Sequence, residues 1–335
     1  MKSLLAVAAL FVVTLFLGHR APPPAANALR VGLVFDVGGL GDKSFNDSAQ
    51  RGLMRAQKEL GVAVTTLEPG DGDGRASALR MLAASGHALV FGVGFVFTDD
   101  LTEMAAEYPG VRFAGIDFAV RSDNTVLPPN LLAIKFREEQ GSFLAGALAA
   151  MVSETHALGF VGGMDIPLIH KFSAGYRAGV LAVCPTCTVR GLYAGMTPSA
   201  FKDPGRGREM ALSLYAGGAD IVFQAAGSTG LGVFQAAREA HGLAIGVDSD
   251  QQAEAPQAIM TSMVKELDQA VFDTVAQLQH GEWHHGVHYF GLRENGLELA
   301  ENKDNARFFT PERRNKLAEL RAQIVSGEIM VPDHD

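Results

Sequence analysis

Between Arg30 and Gly61 the chain reads RVGLVFDVGGLGDKSFNDSAQRGLMRAQKELG, and this stretch restricts the fold more than any other. The apolar run from Val31 to Phe35 has the length and continuity of a strand buried on both faces. Asp36 ends the run, and Gly38, Gly39 and Gly41 mark a loop. Asp42 or Ser44 can then cap a helix whose apolar face carries Phe45, Ala49, Leu53, Ala56 and Leu60. A strand–loop–helix opening of this kind belongs to α/β sheets, which bind ligands at the carboxyl ends of their strands. Here that edge would present Asp36, Phe45 and Asn46: a carboxylate, an aromatic ring and an amide suited to a flat polar ligand.

Two later segments repeat one plan. Ala88 to Phe91 predicts a strand, Gly92 to Thr98 a loop, Asp99 to Glu107 a helix, and Arg112 to Ile116 a strand ending at Asp117. Ala219 to Phe223, Ala226 to Gly230, Gly232 to Ala240 and Leu243 to Val247 follow the same order and end at Asp248. The opening unit is echoed by a strand at Ala157 to Val161, a loop at Gly162 to Lys171 and a helix at Phe172 to Val183. Alternating strands and helices favour parallel sheets, so the chain is expected to form two similar doubly wound α/β lobes. Helical patterns at Gln140 to Val152 and Val264 to His280 would lie near the lobe junctions. The expected boundaries are a leader and spacer at 1–28, a first lobe at 29–137 plus about 248–285, and a second at 138–247 plus about 286–335. If the lobes face one another, Asp36, Asp117 and Asp248 line one cleft, a hinge-closing trap for a small molecule.

A formal net charge of −9 argues against nucleic acid or anionic lipid as the main partner. Lys2 followed by the apolar run Ser3 to Leu17 has the form of an export signal, with Ala26-Asn27-Ala28 as a small-x-small cleavage site. The run falls short of the roughly 20 residues that span a bilayer. Leu15 to Gly18 resembles the start of a lipoprotein signal, but His19 stands where the acylated cysteine would be. Ala21 to Ala28 is Pro-rich and reads as a spacer. The expected location is therefore periplasmic or cell-surface, with a membrane tether in doubt for want of that thiol.

Cys184 and Cys187 are spaced C-P-T-C, compatible with a local disulfide in an oxidising compartment or with redox chemistry; a structural turn is favoured. Of His284, His285 and His288, the first and last would share a face only on a helix, and Val287 to Phe290 has the pattern of a strand. Gly227 to Gly232 is G-x-x-G-x-G, unlike the dinucleotide fingerprint, and neither a phosphate-binding G-x-x-x-x-G-K-[ST] nor a G-x-S-x-G elbow occurs. No nucleophile, base and oxyanion hole assemble, so the expectation is a non-enzyme with no cofactor and no metal.

Six motifs in order resemble the basic membrane protein family of bacterial substrate-binding proteins, above all its purine nucleoside receptors. They are D-V-G-G-x-x-D-K-S-F-N at Asp36 to Asn46, G-I-D at Gly115 to Asp117 and E-Q-G-S-F-L-A-G at Glu139 to Gly146. V-F-Q-A-A-G-S-T-G-L-G-V at Val222 to Val233, G-V-D-S-D-Q at Gly246 to Gln251 and T-S-M-V-K at Thr261 to Lys265 complete the set. The resemblance implies a type I periplasmic-binding fold, monomeric, delivering purine nucleosides of the adenosine, guanosine and inosine class to an ABC permease in the inner membrane.

Carried over by position, it makes Phe45 and Phe201 the rings that sandwich the base. Asp36 and Asn46 would bond the base edge, with Ser44, Gly94 and Asp117 nearby. Asp248, Lys265 and backbone around Gly227 would hold the ribose. Stacking is worth about 1–3 kcal/mol per base, and charge-assisted hydrogen bonds suit vicinal hydroxyls. Two departures from the family stand out: the missing lipobox cysteine, and the loose match around Phe201 in T-P-S-A-F-K-D-P. Competing readings are a nucleoside-processing or NAD-linked α/β enzyme and a ligand sensor for a signalling partner.

Overall fold

A computed structural model describes residues 27–69, 74–120 and 125–334. The expected leader and most of the Pro-rich spacer lie outside the described residues. The first sheet collects β1 (Arg30–Val34), β2 (Ala63–Leu67), β3 (Leu89–Val93), β4 (Arg112–Ile116) and β5 (Leu131–Phe136). The second collects β6 (Ala157–Met164), β7 (Thr188–Gly195), β8 (Ile221–Ala225), β9 (Leu243–Asp248) and β10 (Ile259–Lys265). Near the C-terminus, β11 (Gly286–Phe290) returns to the first sheet and β12 (Leu297–Leu299) to the second. The orders are β11-β5-β4-β3-β1-β2 and β12-β10-β9-β8-β6-β7. All pairings are parallel except β12 on β10.

Helices cover both faces of each sheet, which is why the strands are continuously apolar rather than alternating. They are α1 (Phe45–Leu60), α2 (Gly74–Ala84), α3 (Thr98–Glu107), α4 (Glu138–Val152), α5 (Pro167–Val183), α6 (Pro204–Ala216), α7 (Gly230–Ala240), α8 (Leu267–Gln279) and α9 (Pro311–Ser326). In β1, Val31, Leu33 and Val34 are all buried, and Gly32 leaves room for the Leu82 side chain of α2. Helices α4 and α5 pack with their backbones in close approach. A Cβ on Gly146, Gly175 or Gly179 would collide with the carbonyl oxygens of Tyr176, Glu139 and Phe143 respectively. The small residues of α4 and α5 therefore set how closely these helices approach.

The two lobes of the expected α/β fold are present, but the boundaries after residue 248 need correction. β10 pairs with β9 in the second sheet, whereas β11 pairs with β5 in the first. Val264 and Lys265 finish a strand, and the helix starts at Leu267, so Val264 to His280 is not one helix. The chain thus crosses between lobes at Phe136–Glu138, at Lys265–Leu267 and between β11 and β12. Two loops are also shorter than expected. Phe95–Phe97 form a 3-10 turn, and α5 begins at Pro167, whose fixed φ suits the first helical position, so only Asp165 and Ile166 separate it from β6. Cys184 and Cys187 form a disulfide just beyond α5. Among the described residues no helix is long and apolar enough to cross a membrane.

Candidate functional site

The carboxyl ends of both sheets look onto one cavity between the lobes, lined by residues from each, the position where open α/β sheets hold small ligands. From the first lobe come Asp36 beyond β1, Phe45 and Asn46 in the first turn of α1, Gly94 and Phe95 beyond β3, and Asp117 beyond β4. From the second come Leu168, Ile169 and Phe172 on α5, Phe201 in the turn after β7, Gly227 beyond β8, Asp248 ending β9 and Lys265 ending β10. Nine of the ten residues singled out in the sequence line this space; Ser44 does not.

Local geometry explains the placement. Asp117 and Asp248 carry positive φ, 54° and 64°, which turns the chain sharply at the sheet edge. Gly94 (φ 106°) lies against the Asp36 carboxylate, where any Cβ would crowd it. The Phe201 ring covers Gly163, whose missing side chain makes the seat, and Gly227 lies beside it. Phe95 meets Phe201 edge-on from the opposite lobe, with ring centroids 6.5 Å apart.

Asp42, rather than Ser44, caps α1: its carboxylate accepts from the backbone N–H of Ser44 (2.9 Å), Asn46 (2.8 Å) and Asp47 (3.2 Å). The same carboxylate accepts from Asn46 Nδ2 at 3.0 Å, while Asn46 Oδ1 accepts the Asp36 N–H at 3.0 Å. The Asn46 amide is therefore oriented before any ligand arrives. Ser44 is fully buried behind the cleft, and its hydroxyl donates to Asp248 Oδ2 at 2.7 Å. Ser44, which the resemblance groups with the site, does not line the cavity, and its side chain meets the other lobe.

The helix expected from Val264 excludes Lys265, which ends a strand and is 1% exposed. Its Nζ donates to both Asp117 oxygens at 2.8 Å and to Glu138 Oε1 at 3.3 Å. Phe136, Phe45 and Phe172 surround the ammonium, with ring centroids 4.8, 5.2 and 5.8 Å away. Burial alone would lower the Lys265 pKa, but Asp117, Glu138 and Asp248 outweigh it and hold the group above the usual lysine range. Glu138 also accepts from Lys171 at 2.6 Å, so both ammonium groups share this carboxylate. Burial pushes the Asp36 and Asp248 carboxyls up, each to about 6.

Sequence reasoning missed Asp42 as an organiser of Asn46, Glu138 as the partner of Lys265, and Phe95 and Phe172 in the wall. Glu138 directly precedes the E-Q-G motif at Glu139, and Phe172 follows Leu168 by four positions, one helical turn. The first signal was adjacent to a motif already noticed; the second was hidden by reading Gly162 to Lys171 as a loop.

Two parallel-sheet lobes, three crossings and a polar, ring-lined gap between the strand ends define a two-lobed solute-binding protein. Residues 29–335 match the Bmp family, described as ABC transporter substrate-binding protein PnrA-like, and the chain belongs to that family. Basic membrane protein D of Borreliella burgdorferi is 34% identical, with 92% of this chain and 89% of that protein covered. The ABC transporter nucleoside-binding protein BmpA of Lactococcus lactis is 29% identical, covering 91% and 89%. A crystal structure of an ABC transporter solute-binding protein from Aeropyrum pernix K1 superposes with a TM-score of 0.80 at 29% identity, covering 91% of this chain and 94% of that one. The family is one of binding proteins, which sets aside the enzyme reading.

Proposed function

We propose that the chain is exported, captures a purine nucleoside between its lobes and presents the closed form to an ABC permease. The observation that carries this reading is the shared lining of one cavity by Phe45 and Asp36 from the first lobe and by Phe201, Asp248 and Lys265 from the second. Phe45 and Phe201 stack on the base, Asp36 and Asn46 bond its edge, and Asp248 and Lys265 hold the ribose hydroxyls. Burial of the carboxylates strengthens those bonds, because no water competes for them. A nucleotide fits poorly: Asp36, Asp42, Asp117 and Asp248 all face or flank the cavity, and Lys265 is already held by two carboxylates. The nucleoside-binding relative and the family's transporter role support ligand class and partner alike. Native mass spectrometry of the purified protein tests it: a retained mass equal to a purine nucleoside is expected. A different co-purified small molecule would replace this ligand.

A further inference from the structure

The second lobe grips the first through two side chains, Gln251 and Ser249, that do not line the cavity. Gln251, in the loop between β9 and β10, is 2% exposed and absent from the cavity wall. Its Oε1 accepts the Val247 N–H and the Gln224 Nε2–H, both at 2.9 Å. Gln224 is itself oriented by the Ala226 N–H, which donates to its Oε1 at 3.1 Å. Two backbone donors therefore settle which way both amides face, and Gln251 Nε2 is left to donate to the Lys43 carbonyl at 3.0 Å, across the lobe boundary. Gly246 makes room for this side chain, since a Cβ there would meet Gln251 Oε1 at 2.7 Å.

Ser249 acts beside it. Its hydroxyl donates to the Ser44 carbonyl at 3.0 Å and accepts from Arg51 Nη2, also at 3.0 Å. The Ser44 hydroxyl returns the contact to Asp248 Oδ2 at 2.7 Å and to the Val247 carbonyl at 3.2 Å. The gripped segment, Lys43-Ser44, is strained (Lys43 φ 55°) and leads directly into Phe45 and Asn46. These bonds can form only when the lobes are together, and they hold the turn that aims two cavity residues.

We propose that Gln251, seconded by Ser249, is a positioning residue that latches the lobes shut and so sets how long ligand stays, without choosing which ligand is bound. It acts on closure through the Lys43-Ser44 backbone, which any side-chain reading of the base or sugar leaves untouched. Its kinetic readout rests on the nucleoside reading above; its conformational readout does not.

The decisive variant is Gln251→Glu. It is isosteric, keeps acceptors for Val247 and Gln224, and sets a carboxylate oxygen against the Lys43 carbonyl. Stopped-flow kinetics with adenosine should show dissociation at least about tenfold faster, association unchanged, and the same rank order for adenosine, guanosine and inosine. Ser249→Ala should move dissociation the same way by a smaller factor and guards against a folding defect in the first variant. Spin labels at exposed Met54→Cys and Glu209→Cys, one per lobe, should show longer separations gaining population in Gln251→Glu relative to unsubstituted Gln251. An unchanged dissociation rate, or a changed rank order, would overturn the latch. If the parent protein binds no nucleoside, the nucleoside reading fails and the label distances decide: an identical distribution in both proteins overturns the latch.

Discussion

Asp117 and Lys265 meet at 2.8 Å although one follows a strand of the first sheet and the other ends a strand of the second. The pair lies directly on the lobe boundary, is almost fully buried, and is extended by Glu138 on the neighbouring crossing. It joins the hinge to the cavity wall, because Asp117 and Lys265 are also lining residues.

Removing one member should therefore reach stability as well as binding. Lys265→Met leaves Asp117 and Glu138 buried without their shared cation, a change worth about 3–5 kcal/mol in comparable cases. Urea unfolding should show that loss in the midpoint at an unchanged slope. A loss below roughly 1 kcal/mol would mean that the site hydrates freely once the lysine is gone.

Phe45 lines the cavity and, partly buried, packs against the core. Phe45→Ala should weaken adenosine by about 1–3 kcal/mol if the ring stacks on the base. Calorimetry on the variant would read this directly, and an unchanged Kd would take Phe45 out of the base-binding set.

Binding should depend on pH through Asp36 and Asp248. Each carboxyl lies near 6 without ligand, raised by burial. Hydroxyl and N–H donors on the ligand favour the ionised form, so both values fall in the complex and binding releases protons. Affinity is then full above that range and declines below it, by about tenfold per carboxylate between about pH 7.5 and about pH 5. Titrations across that window would show it; affinity that rises as pH falls would reverse the assignment.

The α4–α5 contact is a packing claim. Gly179→Ala puts a Cβ onto the Phe143 carbonyl, so the helices must part. Overpacking of this kind costs about 1–3 kcal/mol. Thermal unfolding should show a lower Tm, and a Tm equal to that of the parent would mean that the helices separate at no cost.

What could be read from sequence followed distance along the chain. β1, β4 and β9 announced themselves as apolar runs ending at carboxylates, so Asp36, Asp117 and Asp248 were visible as a set. Lys265 was harder: Thr261 and Ser262 interrupt its strand, the next helix begins two residues on, and its partners Asp117 and Glu138 lie 148 and 127 positions away. Ser44 stood where a helix cap was expected, and nothing local distinguishes a cap from a donor to Asp248, 204 positions on. The sheet switch of β10 and β11 was invisible for the same reason, since strand pairing depends on partners rather than on pattern.

The most direct measurement is a calorimetric titration of the ligand-free protein with adenosine, guanosine and inosine. A nucleoside receptor predicts saturable heat with one site per chain for at least one of them. Heat indistinguishable from buffer for all three would contradict it.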